Sequence, residues 1–212
     1  MAESDAELKE LVRKYQEGIG PQEGEKSPGF QLLARGEVVV PLVLEAFHTA
    51  PWDRRSQGKH SIIRLANLLA EFGDPRAAPA LIHLAQIGSE FTFENPLRLL
   101  VPKLERRGDA TCIAALIEIL KAFRFARPRI AILVAEALVR MAEREPLQEI
   151  AAALPYLHSG FLAPAAPLEL GPLRRQLKAA LNLPYLPLAA SAPLTSEHLP
   201  IPANQGDDDT HE

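Results

Sequence analysis

Apolar positions recur every third and fourth residue along most of the chain, the spacing that lines one side of an α-helix. Leucine and alanine carry the pattern, while β-branched residues cluster only at Val38, Val39 and Val40, so strands have little to build on. The pattern predicts a leading helix over residues 5–17 and a Gly/Glu/Pro link to about residue 26. Helical pairs follow from 27 to about 158, and a closing helix near 168–182. Three regions result: an N-terminal helix and linker over 1–26, a helical body over 27–182, and a proline-rich tail over 183–212. In the tail, prolines exclude a long helix and the end is polar and acidic, which predicts an extended segment followed by disorder. Leu183, Leu186, Leu188, Leu194, Leu199 and Ile201 exceed what a linker needs, so the first half, to about Ile201, is expected to pack on the body.

Within the body a phrase recurs: LLARGEVVVPLVLEAF from Leu32, LLAEFGDPRAAPALIHLA from Leu68 and KLERRGDATCIAALIEIL from Lys103. Its turns fall on Gly36, Gly73 and Gly108, which lie 37 and 35 residues apart. A weaker copy, ALVRMAEREPLQEIAAAL, puts Ala142 at a fourth turn 34 residues further on. That period suits two antiparallel helices and two short loops. A glycine just past an apolar run can take the left-handed conformation that ends a helix, and Asp74 and Asp109 then cap the next one. Pro75 follows its cap where a missing N–H costs nothing, and Asn95-Pro96 repeats that signature. Pro41, Pro79 and Pro102 read as helix-interior prolines that bend their hosts.

LLAEFGDPRAAPALIHLA resembles a HEAT repeat, in particular the bacterial subtype also found in phycobilisome-lyase-like proteins. The Gly-Asp-Pro-Arg turn and the Ala-Leu-Ile that follows carry the likeness, over residues 68–85 and more loosely over 103–120 and 32–47. The resemblance implies an all-α, right-handed α-solenoid of about four antiparallel helical pairs, with the first and last helices covering its open ends. It implies a concave face made by the second helices of the pairs, and it says little about function.

Charge narrows the partner classes. Of the formal −4, four negatives are Asp207, Asp208, Asp209 and Glu212, so residues 1–206 are formally neutral. A neutral body has no general electrostatic footprint for nucleic acid or an anionic membrane, and it argues against the DNA-base glycosylases known among HEAT-like solenoids. No apolar run approaches the ~18 residues of a membrane span, and MAESDAELKE lacks the basic and apolar regions of a secretory signal. The single cysteine, Cys112, sits in an apolar helical stretch and reads as a buried, inert thiol. A cytoplasmic protein is the expectation.

Chemistry-bearing motifs are sparse: no HExxH, no Cys-x-x-Cys, no phosphate-gripping glycine loop and no Ser-centred elbow. Nothing in the sequence calls for catalysis, a cofactor or a metal. Stacked repeats would align Glu45, His83 and Glu118 in one row of outward positions, and His48, Gln86 and Lys121 in the next. The bland reading of both rows is an ordinary solvated face. In KAFRFARPR, Lys121, Arg124, Arg127 and Arg129 interleave with Phe123 and Phe125, a composition that suits an acidic partner or a single strand of nucleic acid. Arg127 and Arg129 oppose the dipole of the helix they begin, so something else must favour them. WDRRSQGKHSIIR is a polar insertion between pairs, and Trp52 beside Arg54 and Arg55 has the composition of an interface anchor.

The sequence therefore points to a non-catalytic scaffold or adaptor that binds a protein partner on the concave face or the inter-repeat loops. A narrower version is a bacterial immunity or inhibitor protein. The competing class is an enzyme, or enzyme subunit, acting on nucleic acid or a chromophore.

Overall fold

A computed structural model describes residues 5–21, 23–51, 56–88, 91–157 and 170–183, and every regular element among them is helical. The α-helices are α1 (Asp5–Glu17), α2 (Pro28–Ala34), α3 (Val40–Thr49), α4 (Ser56–Phe72), α5 (Ala78–Ile87), α6 (Asn95–Arg107), α7 (Ala110–Phe123), α8 (Pro128–Arg144) and α9 (Leu170–Ala180). Four 3-10 stretches join them: Gly36–Val39, Pro75–Ala77, Phe91–Phe93 and Gln148–Leu157.

The helices form two rows. α2, α4, α6, α8 and α9 touch in that order, and α3, α5, α7 and the Gln148–Leu157 stretch touch in theirs. Consecutive elements bridge the rows, α3 on α4, α5 on α6, α6 on α7 and α7 on α8. One continuous apolar core lies between them, with Leu65, Leu69, Leu81, Leu97, Leu100, Leu116 and Phe123 fully buried. Each fully buried leucine stabilises the fold by roughly 1.5–3 kcal/mol. At one end α1 lies across α2, α3 and α4, and at the other α9 packs on α8 and Gln148–Leu157.

Local chemistry sets the turns between the rows. Gly36, Gly73 and Gly108 take φ of +70°, +67° and +70°, the left-handed conformation the repeat calls for. Asp74 then accepts a 2.8 Å hydrogen bond from the Arg76 amide, and Asp109 accepts a 2.9 Å one from the Cys112 amide. The Ser27 hydroxyl caps α2 in the same way, accepting from the Phe30 amide at 3.2 Å.

Several sequence expectations need correction. Pro41 and Pro79 stand in the first turns of α3 and α5, each entered from a 3-10 stretch, and so they begin helices where they were expected to bend them. Pro102 does lie inside α6. Asn95 is the first residue of α6 and does not cap it; Glu94 holds the cap position without a side-chain cap bond. Ala142 is buried inside α8, which runs on to Arg144, and the chain turns only at Glu145, Pro146 and Leu147. The element after that turn is a 3-10 helix with Pro155 in it, where an α-helix was expected. Ser56 to Arg64, read as part of a polar insertion, are the opening turns of α4.

Candidate functional site

The two rows of outward positions fall on three adjacent helices. Glu45 and His48 lie on α3, His83 and Gln86 on α5, Glu118 and Lys121 on α7, and all six side chains are exposed. Each helix turns its apolar side inward, with Phe47, Leu84 and Ile119 buried beside them, and this leaves the polar side to solvent. Along α7 the Glu118 carboxylate lies 3.7 Å from the Lys121 ammonium, an exposed pair of the kind that contributes little to stability.

Between α3, α4 and α5 the surface dips into a pocket of about 590 Å³ lined by Phe47, His48, Ala50, Ile62, His83, Leu84 and Ile87. Its floor is apolar and its polar side chains are the two imidazoles. The His48 ring stands edge-on to the Phe47 ring, centroids 5.7 Å apart. Glu45 faces the other way, into a smaller hollow of about 190 Å³ shared with Lys9 and Arg13 of α1. Such a pocket can take an apolar side chain and offer it imidazole hydrogen bonds at the rim. Among the described residues no group of three His, Cys, Asp or Glu side chains could hold a metal ion.

The basic stretch divides between the core and the surface. Phe123 is fully buried, whereas Phe125 is 41% exposed and lies under the Arg124 guanidinium, 4.4 Å from its centroid. Arg124 also lies 5.6 Å from the Tyr156 ring. Arg129 and Lys121 are exposed. Arg127 turns inward. Its Nη2 donates to the carbonyl oxygens of Gly88 and Ala85 at 2.6 and 3.3 Å, and its Nη1 lies 3.2 Å from the buried Glu94 carboxylate. The favourable partner for a cation at the start of α8 is thus the carbonyl end of α5. Trp52, Arg54 and Arg55 lie outside the described residues, as does the tail beyond Leu183.

Sequence reasoning missed a series of ion pairs along the first row. Lys103 of α6 reaches the Glu71 carboxylate of α4 and donates to the Glu71 carbonyl at 2.7 Å. Arg140 of α8 grips Glu105 of α6 with two hydrogen bonds of 3.0 and 2.8 Å, and Arg144 donates to the Glu105 carbonyl at 2.8 Å. Arg107 pairs with Glu37, two turns back, and Arg76 donates to the Glu37 carbonyl at 3.4 Å. The signal was present as charges of opposite sign separated by 32, 35 and 39 residues, close to the repeat length, and by 70, about twice it.

At the turns two carboxyls are perturbed. Burial raises the Asp74 carboxyl, but hydrogen bonds from the Arg76 side chain and amide outweigh it and hold the group below its ordinary value. The Thr111 hydroxyl, then the Cys112 amide, pull Asp109 down to about 2. Burial, followed by the Asp109 carboxylate, pushes the Cys112 thiol up to about 11.

No family model matches the chain, and no curated protein or solved structure matches it. No helix among the described residues is long and apolar enough to cross a membrane.

Proposed function

We propose that this protein is a HEAT-like α-solenoid that holds a partner protein on the exposed side of α3, α5 and α7. The observation that carries the reading is the pocket between α3, α4 and α5, where His48 and His83, placed on neighbouring rows by the repeat, flank one apolar hollow. Two further features support it. Elements two apart in sequence lie side by side, as repeat stacking requires, and the three left-handed glycine turns keep the repeat period. An apolar hollow rimmed by imidazoles suits a protein side chain as an anchor, with the polar row residues around it giving register. The work is binding, without chemistry of its own.

The test compares tagged wild-type protein with a His48→Asp/His83→Asp variant and with Glu143→Lys, an exposed change on α8, by quantitative co-purification. A protein retained by wild type and Glu143→Lys and lost from the histidine variant supports the reading. Retention by all three, with the histidine variant still folded by circular dichroism, refutes this face as the binding surface.

A further inference from the structure

The turn between α7 and α8 carries positive charge that its surroundings leave partly unmatched. Between Glu118 of α7 and Glu136 of α8 the chain has four cations, Lys121, Arg124, Arg127 and Arg129, and no acid. Two of them are engaged within the body, Arg127 by Glu94 and Lys121 by Glu118. Among the described residues Arg124 and Arg129 have no carboxylate partner. The Arg127 amide donates to the Phe123 carbonyl at 3.0 Å, so the turn is tight and brings both arginines to one end of the helix pair.

Arg124 is prepared for a ligand of one kind. Its guanidinium lies over the rings of Phe125 and Tyr156, 4.4 and 5.6 Å from their centroids. A guanidinium held over aromatic rings keeps its N–H edge for a planar anion, and a carboxylate takes that edge with two hydrogen bonds. Phe125 is itself 41% exposed and sets an apolar surface beside the charge.

The complementary charge lies further along the same chain. No Lys or Arg follows Lys178, and Asp207, Asp208, Asp209 and Glu212 place four negatives within six residues. α9 packs on α8, whose 17 residues make it about 25 Å long. The 24 residues from Leu183 to Asp207 can span up to about 80 Å, so the acidic segment can reach the α7–α8 turn from any point along α8. Exposed ion pairs are weak singly, but groups joined through one chain meet at roughly millimolar effective concentration, which populates a contact of that strength. We propose that the α7–α8 turn is an acidic-peptide site with Arg124 and Arg129 as its cations, and that Asp207–Asp209 of the same chain occupy it. This site uses none of the residues that line the His48 and His83 pocket, and it holds whether or not that pocket takes a partner.

A nitroxide label reads the contact in the full chain. Cys112 is fully buried, so Thr210→Cys offers the label a single accessible thiol. In low salt the amide signals around Arg124 and Arg129 are expected to lose most of their intensity to the label. The loss should disappear with Arg124→Gln/Arg129→Gln, with Asp207→Asn/Asp208→Asn/Asp209→Asn, and in about 1 M salt, where charges are screened beyond ~3 Å. The aspartate variant leaves the helical body untouched, so the readout stands even where the arginine variant fails to fold. Labelled nitrogen-14 protein mixed with unlabelled nitrogen-15 protein is expected to show no loss, which separates a contact within one chain from one between copies. Broadening that is absent, that survives both sets of substitutions, or that appears equally in the mixture overturns the proposal. So does a single-stranded oligothymidylate that binds this turn as tightly in wild type as in the aspartate variant, since the arginines would then be uncovered and suited to nucleic acid.

Discussion

The Arg127 guanidinium closes the C-terminal end of α5, its Nη2 donating to the Gly88 carbonyl oxygen at 2.6 Å across 39 residues of sequence. The same side chain bonds the Ala85 carbonyl and the buried Glu94 carboxylate, and so α5, α6 and α8 meet on one cation. Both partners are well covered, with side-chain exposures of 24% for Arg127 and 10% for Glu94. Removing the arginine leaves two carbonyls without their donor and the buried carboxylate with only the Arg98 guanidinium, 3.8 Å away.

Arg127→Ala is therefore expected to lower unfolding stability by about 2–4 kcal/mol, read by chemical denaturation. Arg127→Lys should restore less than half of the loss, because one ammonium cannot serve both carbonyls and the carboxylate. Combined with Glu94→Gln, Arg127→Ala should cost less than the sum of the two single changes. A loss under about 0.5 kcal/mol in the alanine variant would contradict the structural role.

Two of the glycine turns separate strain from crowding. A Cβ on Gly36 would meet nothing within 4 Å, whereas one on Gly73 would lie 2.9 Å from the Lys103 Cβ, and both residues have φ near +70°. Gly36→Ala thus carries only the left-handed penalty, about 1 kcal/mol. Gly73→Ala adds a clash with a side chain that is itself tied to Glu71, and should cost about 2–3 kcal/mol. Thermal melts of the two variants check the order, and equal losses would show that α6 yields at Lys103.

The parts of the fold legible in the sequence are those set by local chemistry. Gly36, Gly73 and Gly108 needed only their neighbours to be read as left-handed turns, and Asp74 and Asp109 as caps. Pro41 and Pro79 were misread because a helix-interior proline and one that follows a 3-10 turn share the same flanking pattern. The fourth turn was placed three residues early because no glycine marks it; Pro146 ends α8 instead, and apolar Met141 and Ala142 stay in the core. The outward rows followed from periodicity, since burial of Phe47 and Leu84 fixes the opposite side of each helix. Arg127 was beyond reach. Its partners lie 39 to 42 residues away, and only the packed fold shows that a helix end is waiting there.

Acid should act through the turns. Asp109 sits at about 2 in the fold, below the ordinary carboxylate value of about 3.9. Its contribution is therefore complete above about pH 4 and is lost as pH falls toward 2, and Asp74, also depressed, loses its share on the same side. Asp109→Asn keeps an acceptor for the Cys112 amide but cannot titrate. Its stability should fall less steeply than that of wild type between about pH 4 and pH 2 in denaturant titrations at stepped pH. Parallel profiles would assign the acid sensitivity to other carboxylates.

The same cap governs the one cysteine. Cys112 is fully buried, and its thiol is pushed up to about 11, so at pH 8 only about one thiol in a thousand is ionised. A thiol-reactive dye should label the native protein only when α7 opens, and should label it at once in denaturant. Asp109→Ala removes the bond to the Cys112 amide and the carboxylate that disfavours the thiolate, at a cost of about 1 kcal/mol for a lost cap. If exposure needs global unfolding, labelling should quicken about fivefold, in proportion to that loss. If the first turn of α7 frays by itself, the increase should exceed the loss of stability measured by denaturation. Rapid labelling of native wild type would show that the packing around α7 is looser than its buried residues imply.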